Sequence, residues 1–516
     1  MTLLWFMVWW PGLLALRFGR LIGRQLFRAL RAGLRRRTSQ GSARWASWLT
    51  MVIAGAWGRD VGIIVARAWG RLIRYRGDGA ILVFAPMGTG KTTGLVLPAL
   101  LEAVPRAIVC TDPKGECLAI AGRWRATLGP VWKLDAINPA GSHRFNPLTL
   151  IRAGTHHEAD DAAMIADLLV ISESSEEHWD SSAKQLITAL VRHLIASYPA
   201  KLQTLATLRE LIASEGDALV ALLEAMAAST IPSIAQEGRV TLASLGSPEM
   251  TSILKNAAKC LAFWSSDRIG GRLTAASDFD FLAIHSKVKT IFICVPEDKL
   301  TVYRPFLRMM MGCALAAAVR GKEFNPPKHK PLLLIDECPA LGYLETLVSG
   351  LGYLRAYAQT LLVFQDLGQL KRIYGQHGAR SFMAAAGCQV AFNVNDNETA
   401  RELADAIGMT TVLARSETAS QASSAFIGSR EQLSQSETRR YLLDPAEVRR
   451  LPVHKCLVLM SGLPPLLARK VRHYRVRAWR DRWDTWRAIV PAAPATPAAG
   501  SEDEGPGPLL PGRVPD

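Results

Sequence analysis

Between Ala85 and Thr92 the chain reads Ala-Pro-Met-Gly-Thr-Gly-Lys-Thr, and these types at this spacing suit one task, holding a row of phosphates. Gly88 and Gly90 permit a backbone curl that turns successive N–H groups toward phosphate oxygens. Pro86, Met87, Gly88, Thr89, Gly90, Lys91, Thr92 and Thr93 then form the cradle. Lys91 reaches the outer phosphates, and Thr92 offers its hydroxyl to a Mg²⁺ ion. The strict form of this loop has glycine where Ala85 stands, but the positions that face phosphate are intact.

A second group complements the first. Leu332-Leu-Leu-Ile335 ends in Asp336-Glu337, so two carboxylates cap an apolar strand at the sheet edge where α/β ligands bind. Asp336 is predicted to hold the Mg²⁺ shell, and Glu337 to polarise an attacking water. Leu361-Leu-Val-Phe364 ends in Gln365, whose amide either senses the outer phosphate or simply closes a strand. Arg355, a little upstream, is either an arginine finger for a neighbouring subunit's nucleotide or a plain surface arginine. His156 and His157 beside Asp160 and Asp161 read as an acidic helix start with exposed histidines rather than a metal site.

These groups need a scaffold of strands that alternate with helices. Ala80–Phe84, Arg106–Thr111, Lys287–Val295, Pro331–Ile335 and Thr360–Phe364 are short apolar runs suited to buried strands. Their alternation with helical stretches predicts an α/β fold with a parallel, doubly wound sheet. From about Thr155 to Ser277 strand signals fade and Ala and Leu recur at helical spacing, as in Leu205–Leu223, which predicts an all-α insertion. The division expected is 1–40 for an anchor and basic flank, 41–150 and 281–488 for the two parts of the nucleotide-binding domain, 151–280 for the insertion, and 489–516 for a disordered tail rich in Pro and Ala.

The N-terminal run Leu3–Leu16 is apolar but covers only about 20 Å, against a hydrocarbon core of about 30 Å. Arginines from Arg17 to Arg37 follow it and mark the cytoplasmic side. A single short or tilted transmembrane helix fits, and a peripheral amphipathic anchor is the alternative. The run from Trp45 to Trp69 is also apolar, yet Arg59, Asp60 and Arg67 interrupt it, so it is read as the approach to the motor outside the lipid. Lys and Arg total 61 against 45 Asp and Glu, a net charge of +16 that favours polyanionic partners, nucleic acid or an anionic membrane. The 8 cysteines form no C-x-x-C pair, which argues against a disulfide framework or a metal cluster and for a reducing compartment.

The motifs resemble, in order along nearly the whole chain, those of the type IV coupling proteins, the TraG/TraD-type conjugative DNA-transfer ATPases. They are Gly41-Ser-Ala-Arg-Trp-Ala46, Phe84–Thr92, Asp112-Pro-Lys-Gly-Glu116, Arg144-Phe-Asn-Pro-Leu148, Ile335–Gly342, Phe364–Leu370, Leu443–Val448 and Ala468–Arg472. The resemblance implies a RecA-like P-loop ATPase using ATP and Mg²⁺, with an all-α insertion and an N-terminal transmembrane anchor, assembled as a homo-hexamer under the inner membrane. Its implied partners are DNA, single-stranded with an attached relaxase, together with relaxosome proteins and the channel of a type IV secretion system. Family members usually carry two transmembrane helices, where only one is visible here, and an aromatic residue where Cys338 stands. Two rival functions share these parts: a docking receptor for secreted proteins that pumps little, and a double-stranded DNA translocase of the FtsK kind. Intact Lys91, Asp336 and Glu337 favour a working engine over the first. The helical insertion and the neighbourhood of Asn146-Pro-Leu148 speak against the second.

Overall fold

The computed structural model describes residues 39–486 apart from 59–60, 172–176, 287, 324–328 and 419–431. The predicted anchor and the tail from 489 onward therefore lie outside the described residues. Among the described residues no helix is long and apolar enough to cross a membrane.

The strands are β1 (Ile63–Ala68), β2 (Arg71–Tyr75), β3 (Ala80–Phe84), β4 (Ile108–Asp112), β5 (Val131–Asp135), β6 (Thr290–Cys294), β7 (Leu332–Ile335), β8 (Gln359–Phe364), β9 (Ala386–Ala391), β10 (Met409–Thr418), β11 (Gln432–Tyr441), β12 (Lys455–Met460) and β13 (Leu466–Arg469). All but β10 and β11 join an 11-stranded sheet in the order β2-β1-β13-β12-β9-β3-β8-β7-β4-β6-β5. From β9 to β5 every neighbour is parallel. From β9 back to β2 every neighbour is antiparallel. The sheet is therefore mixed, which corrects the expectation of a purely parallel one. The antiparallel part adds two hairpins, β1–β2 and β12–β13, whose strands carry Arg67, Arg71, Arg74, Lys455 and Arg469 and so are less uniformly apolar than the parallel strands β3 and β7.

Within the parallel block, alternate side chains feed two separate cores. Leu82, Phe84, Val109, Leu333, Ile335, Leu362 and Phe364 face one layer of helices. Ile81, Val83, Cys110, Leu332, Leu334, Leu361 and Val363 face the other. This is the period of two expected for a strand covered on both sides.

Among the described residues between β5 and β6 there are helices and turns and no strand: α4 (Glu158–Leu169), α5 (Glu177–Ser197), α6 (Leu205–Ile212), α7 (Gly216–Ala227), α8 (Pro232–Ala243), α9 (Pro248–Leu261) and α10 (Ile269–Leu273). The remaining helices are α1 (Trp48–Ile53), α2 (Leu97–Leu101) and α3 (Glu116–Leu128) before this stretch. After it come α11 (Arg304–Val319), α12 (Glu345–Tyr357), α13 (Leu367–Ala385), α14 (Asn397–Ile407) and α15 (Pro445–Arg449). On α5, Leu186, Leu190 and Leu194 with Ile187 and Val191 make one buried stripe at helical spacing. That stripe belongs to the same continuous core as Phe84 and Leu333.

Where the helical segment leaves and rejoins the sheet, its two legs are tied together. Phe145 N–H donates to the Leu273 carbonyl at 2.9 Å and Asp278 N–H to the Arg144 carbonyl at 3.0 Å. Arg144 also pairs with the Asp278 carboxylate at 3.0 Å. Phe145 stacks on Phe279 at 5.4 Å and meets Phe281 edge-on at 4.6 Å. The Asn146 side chain donates to the Gln203 carbonyl at 2.7 Å and accepts from Leu148 N–H at 3.1 Å. The Arg-Phe-Asn-Pro-Leu sequence is thus the clasp at the foot of the helical segment.

Candidate nucleotide site

β3 runs straight into the glycine loop, and Ala85 N–H donates to the carbonyl of Phe364 at the end of β8 at 2.8 Å. In the sheet β8 lies between β3 and β7. The carboxyl ends of three adjacent strands therefore present, side by side, the loop 85–92, Gln365 and the Asp336-Glu337 pair. Gly88 (φ 75°) and Gly90 (φ 82°) hold the left-handed conformation that the loop requires and that side-chain-bearing residues rarely adopt. The chain then enters a wide π turn at Thr92–Val96 before α2.

Lys91 Nζ donates to Glu337 Oε2 at 2.8 Å and to the Asp336 carbonyl at 3.2 Å. Its distance to Asp336 Oδ1 is 4.0 Å. The Thr92 hydroxyl donates to Asp336 Oδ2 at 3.2 Å. Asp336 N–H donates to the Thr111 hydroxyl at the end of β4 at 2.9 Å, which fixes the start of the acidic turn. Burial pushes the Asp336 carboxyl up to about 6, against the pull of Lys91. Asp112, at the end of β4, is raised by burial to about 7, against the backbone N–H donated by Leu118. These groups line a cavity of about 270 Å³ that also takes in Lys114, Glu116 and Glu297.

The donor set fits Mg²⁺. Asp336 Oδ1 is buried with no hydrogen-bond partner, and the Thr92 hydroxyl sits against the other oxygen of the same carboxylate. A buried carboxylate oxygen left unpaired is costly, and a hard cation with oxygen ligands relieves that cost.

Two other sequence-predicted residues sit differently. Gln365 is half-buried at the carboxyl end of β8, and its backbone N–H donates to Gln369 Oε1 at 2.9 Å. It is beside the cavity but is not among the residues that line it. Arg355 is exposed in the last turn of α12, before β8 begins. Its backbone carbonyl accepts from Lys330, which also pairs with Asp78 just ahead of β3. That puts it at the amino edge of the sheet, the length of a strand (about 20 Å) from its own chain's glycine loop.

One neighbour of the loop lies in a motif of the resemblance, Ala468–Arg472, but nothing in the sequence placed it beside the loop. Lys470, just past β13, donates to the Thr89 carbonyl at 2.7 Å and to Asn393 Oδ1 at 2.5 Å. It lies over the Phe392 ring at 4.5 Å, and burial lowers its ammonium to about 8. Its contact with Thr89 spans 381 positions, so only the folded chain reveals it.

An α/β fold whose glycine loop faces a pair of acidic residues across one sheet edge is the arrangement of a nucleotide-binding protein. The family model for "Type IV secretory system Conjugative DNA transfer" matches residues 38–496, and this chain belongs to that family. Relatives include the conjugal transfer protein TraG of Escherichia coli, 29% identical over 458 residues, which cover 81% of this chain and 70% of that protein. The VirD4 protein of Agrobacterium fabrum is 27% identical over 424 residues, 80% of this chain and 61% of VirD4. Among solved structures, the bacterial conjugative coupling protein TrwBdeltaN70 in its unbound form superposes with a TM-score of 0.63 at 20% identity, covering 83% of this chain and 92% of that one. TrwB has also been solved with a non-hydrolysable ATP analogue, TM-score 0.61, and with ADP and Mg²⁺, TM-score 0.61.

Proposed function

We propose that the chain is the coupling ATPase of a conjugative type IV secretion apparatus, which recruits a relaxase–DNA substrate and drives it into the transfer channel by hydrolysing ATP. The observation that carries this reading is the meeting of Lys91, Thr92, Asp336 and Glu337 at one sheet edge, in a chain that matches the conjugative DNA-transfer family over 38–496. The nucleotide-bound forms of TrwB support ATP and Mg²⁺ as the ligands.

Each residue then has a task. The loop N–H groups and Lys91 bind and orient the phosphates, and Thr92 and Asp336 hold the metal. When bound, Mg²⁺ neutralises charge on the outer phosphate oxygens. Glu337, released from Lys91 as phosphate takes the ammonium, accepts a proton from the attacking water. Gln365, on the strand between the loop and the acidic pair, reports nucleotide state to the chain beyond it.

Each site still needs a cation for charge developing on the phosphoryl group. Arg355, remote from its own loop and exposed, supplies it to the next subunit of a membrane-anchored hexameric ring. In well-measured cases such an arginine is worth about 10³ to 10⁵ in rate. The helical segment 151–280 is the module that receives cargo. The test is ATP turnover of the full-length protein with and without DNA, alongside plasmid transfer. Stimulation by DNA that is lost in Lys91→Ala is expected, and turnover indifferent to both would overturn the reading. Mixed Arg355→Ala and Lys91→Ala proteins, each inactive alone, should partly regain activity; mixtures dead at every ratio would remove Arg355 from the mechanism.

A further inference from the structure

Away from the nucleotide cavity, a second and larger one, about 800 Å³, opens beside the antiparallel end of the sheet. Arg67, Lys455, Arg469, Lys470, Arg472 and Arg475 line it, with His454 beside them and no Asp or Glu in the lining. Among the described residues none of these six cations has a carboxylate partner within 4.0 Å.

Three of the cations are direct cross-strand neighbours. Arg67 on β1 stands opposite Arg469 on β13, and Arg469 stands opposite Lys455 on β12. Residues in such register share one face of the sheet, with strands about 4.8 Å apart. Like charges placed this way repel and weaken the sheet, so a folded chain keeps the row at a cost that a bound polyanion offsets.

Trp69, the first residue of the two-residue turn between β1 and β2, also lines the cavity. It holds φ 47°, a conformation that costs a bulky side chain free energy, and it leaves 47% of its surface exposed. An edge-on contact with Trp57 at 6.2 Å braces the ring without covering it.

A row of unpaired cations with an exposed aromatic ring is the combination that grips single-stranded nucleic acid: cations along the phosphates, the ring against an unstacked base. Duplex DNA offers phosphates but no free base face. We propose that this cleft binds single-stranded DNA, with Arg67, Arg469 and Lys455 on the phosphates and Trp69 stacking a base. The assignment rests on the coupling-ATPase reading and gives its polynucleotide a place. Lys470 lines this cleft and also donates to the Thr89 carbonyl of the glycine loop, so one side chain touches both the cleft and the loop.

The test uses full-length protein in neutral-detergent micelles and a labelled oligothymidine, followed by fluorescence anisotropy over a range of salt concentrations. Arg67→Glu/Arg469→Glu should weaken binding at least about tenfold and flatten the log–log salt slope by about 1.4, about 0.7 for each single-strand phosphate left unneutralised. Trp69→Ala should weaken binding about 5- to 150-fold, the scale of one base stack removed, and Trp69→Phe should restore most of it. Arg401→Glu/Arg439→Glu, the same charge change outside the cleft, should do neither. Cleft variants that bind as wild type does, while DNA still stimulates the wild-type ATPase, would overturn the cleft and leave the coupling function standing. Wild-type protein that neither binds the strand nor responds to it would overturn both. Cleft variants that lose affinity for vesicles containing anionic phospholipid but not for the oligonucleotide would reassign the cleft to lipid headgroups and overturn the proposal.

Discussion

The parallel block of the sheet and the helical segment between β5 and β6 share one core but differ in what they carry. In the parallel block the candidate site sits at strand ends: Asp112 closes β4, Asp336 and Gln365 follow β7 and β8, and Lys91 ends the loop after β3. The helical segment buries its leucines just as fully, yet its ionic contacts are structural, as where Arg144 clasps Asp278 at its foot. The difference shows that burial alone does not mark function. Strand ends leave polar groups at an edge where backbone direction reverses, whereas amphipathic helices spend their polar residues on solvent and neighbours. A substitution in one region should therefore change rate, and in the other stability.

The largest effect expected is that of Lys91→Ala, which should lower ATP turnover by more than about 10³, the scale of a missing cation on a transferring phosphoryl group, with the melting temperature little moved. Steady-state hydrolysis and calorimetry together check this. Glu337→Gln should cost about 10² to 10⁴ in turnover while retaining ATP, because an amide cannot take the proton. A nucleotide-binding titration beside the rate assay separates that outcome from weakened affinity.

On the other side of the comparison, Phe145→Ala should cost about 3 to 5 kcal/mol of stability, since the ring is fully buried among Phe279 and Phe281. Because helices and sheet share one core, chemical denaturation should show both unfolding in a single transition. Two transitions would break the comparison by making the helical segment independent.

The smallest effect concerns Lys470. Its ammonium lies at about 8 in the fold against 10.5 unfolded, so between those values the unfolded chain binds more protons. Its contribution to stability is then least below pH 8 and grows as pH rises toward 10.5. Melting curves across that window should rise less steeply in Lys470→Met than in wild type.

The two regions were also unequally legible in the sequence. Ala80–Phe84 was readable to the residue, because five apolar residues before a glycine loop admit little else. Asp336 and Glu337 could be placed for the same reason, each strand end announcing its polar tip. The antiparallel strands were not readable. Ile63–Ala66 looks like part of a longer apolar stretch, and β13 is Leu-Leu-Ala-Arg between Pro465 and Lys470, with no glycine loop or acidic tip to mark its end. The helical segment was legible as helix, but its clasp was not, because Arg144 finds Asp278 across 134 positions. The contact of Lys470 with the loop was illegible for the same reason, although its motif was visible. The location of Arg355 was hidden by a different one: sequence shows nearness to β8, but not to which end of it.

The 2.8 Å contact between Lys91 and Glu337 has a consequence for the proposed reaction. As long as the ammonium rests on that carboxylate, the group proposed to activate water is occupied. Only a ligand with enough negative charge to draw the lysine away re-arms it. On the proposed reading the triphosphate would be its own trigger, since the phosphates that fill the loop would also free the base.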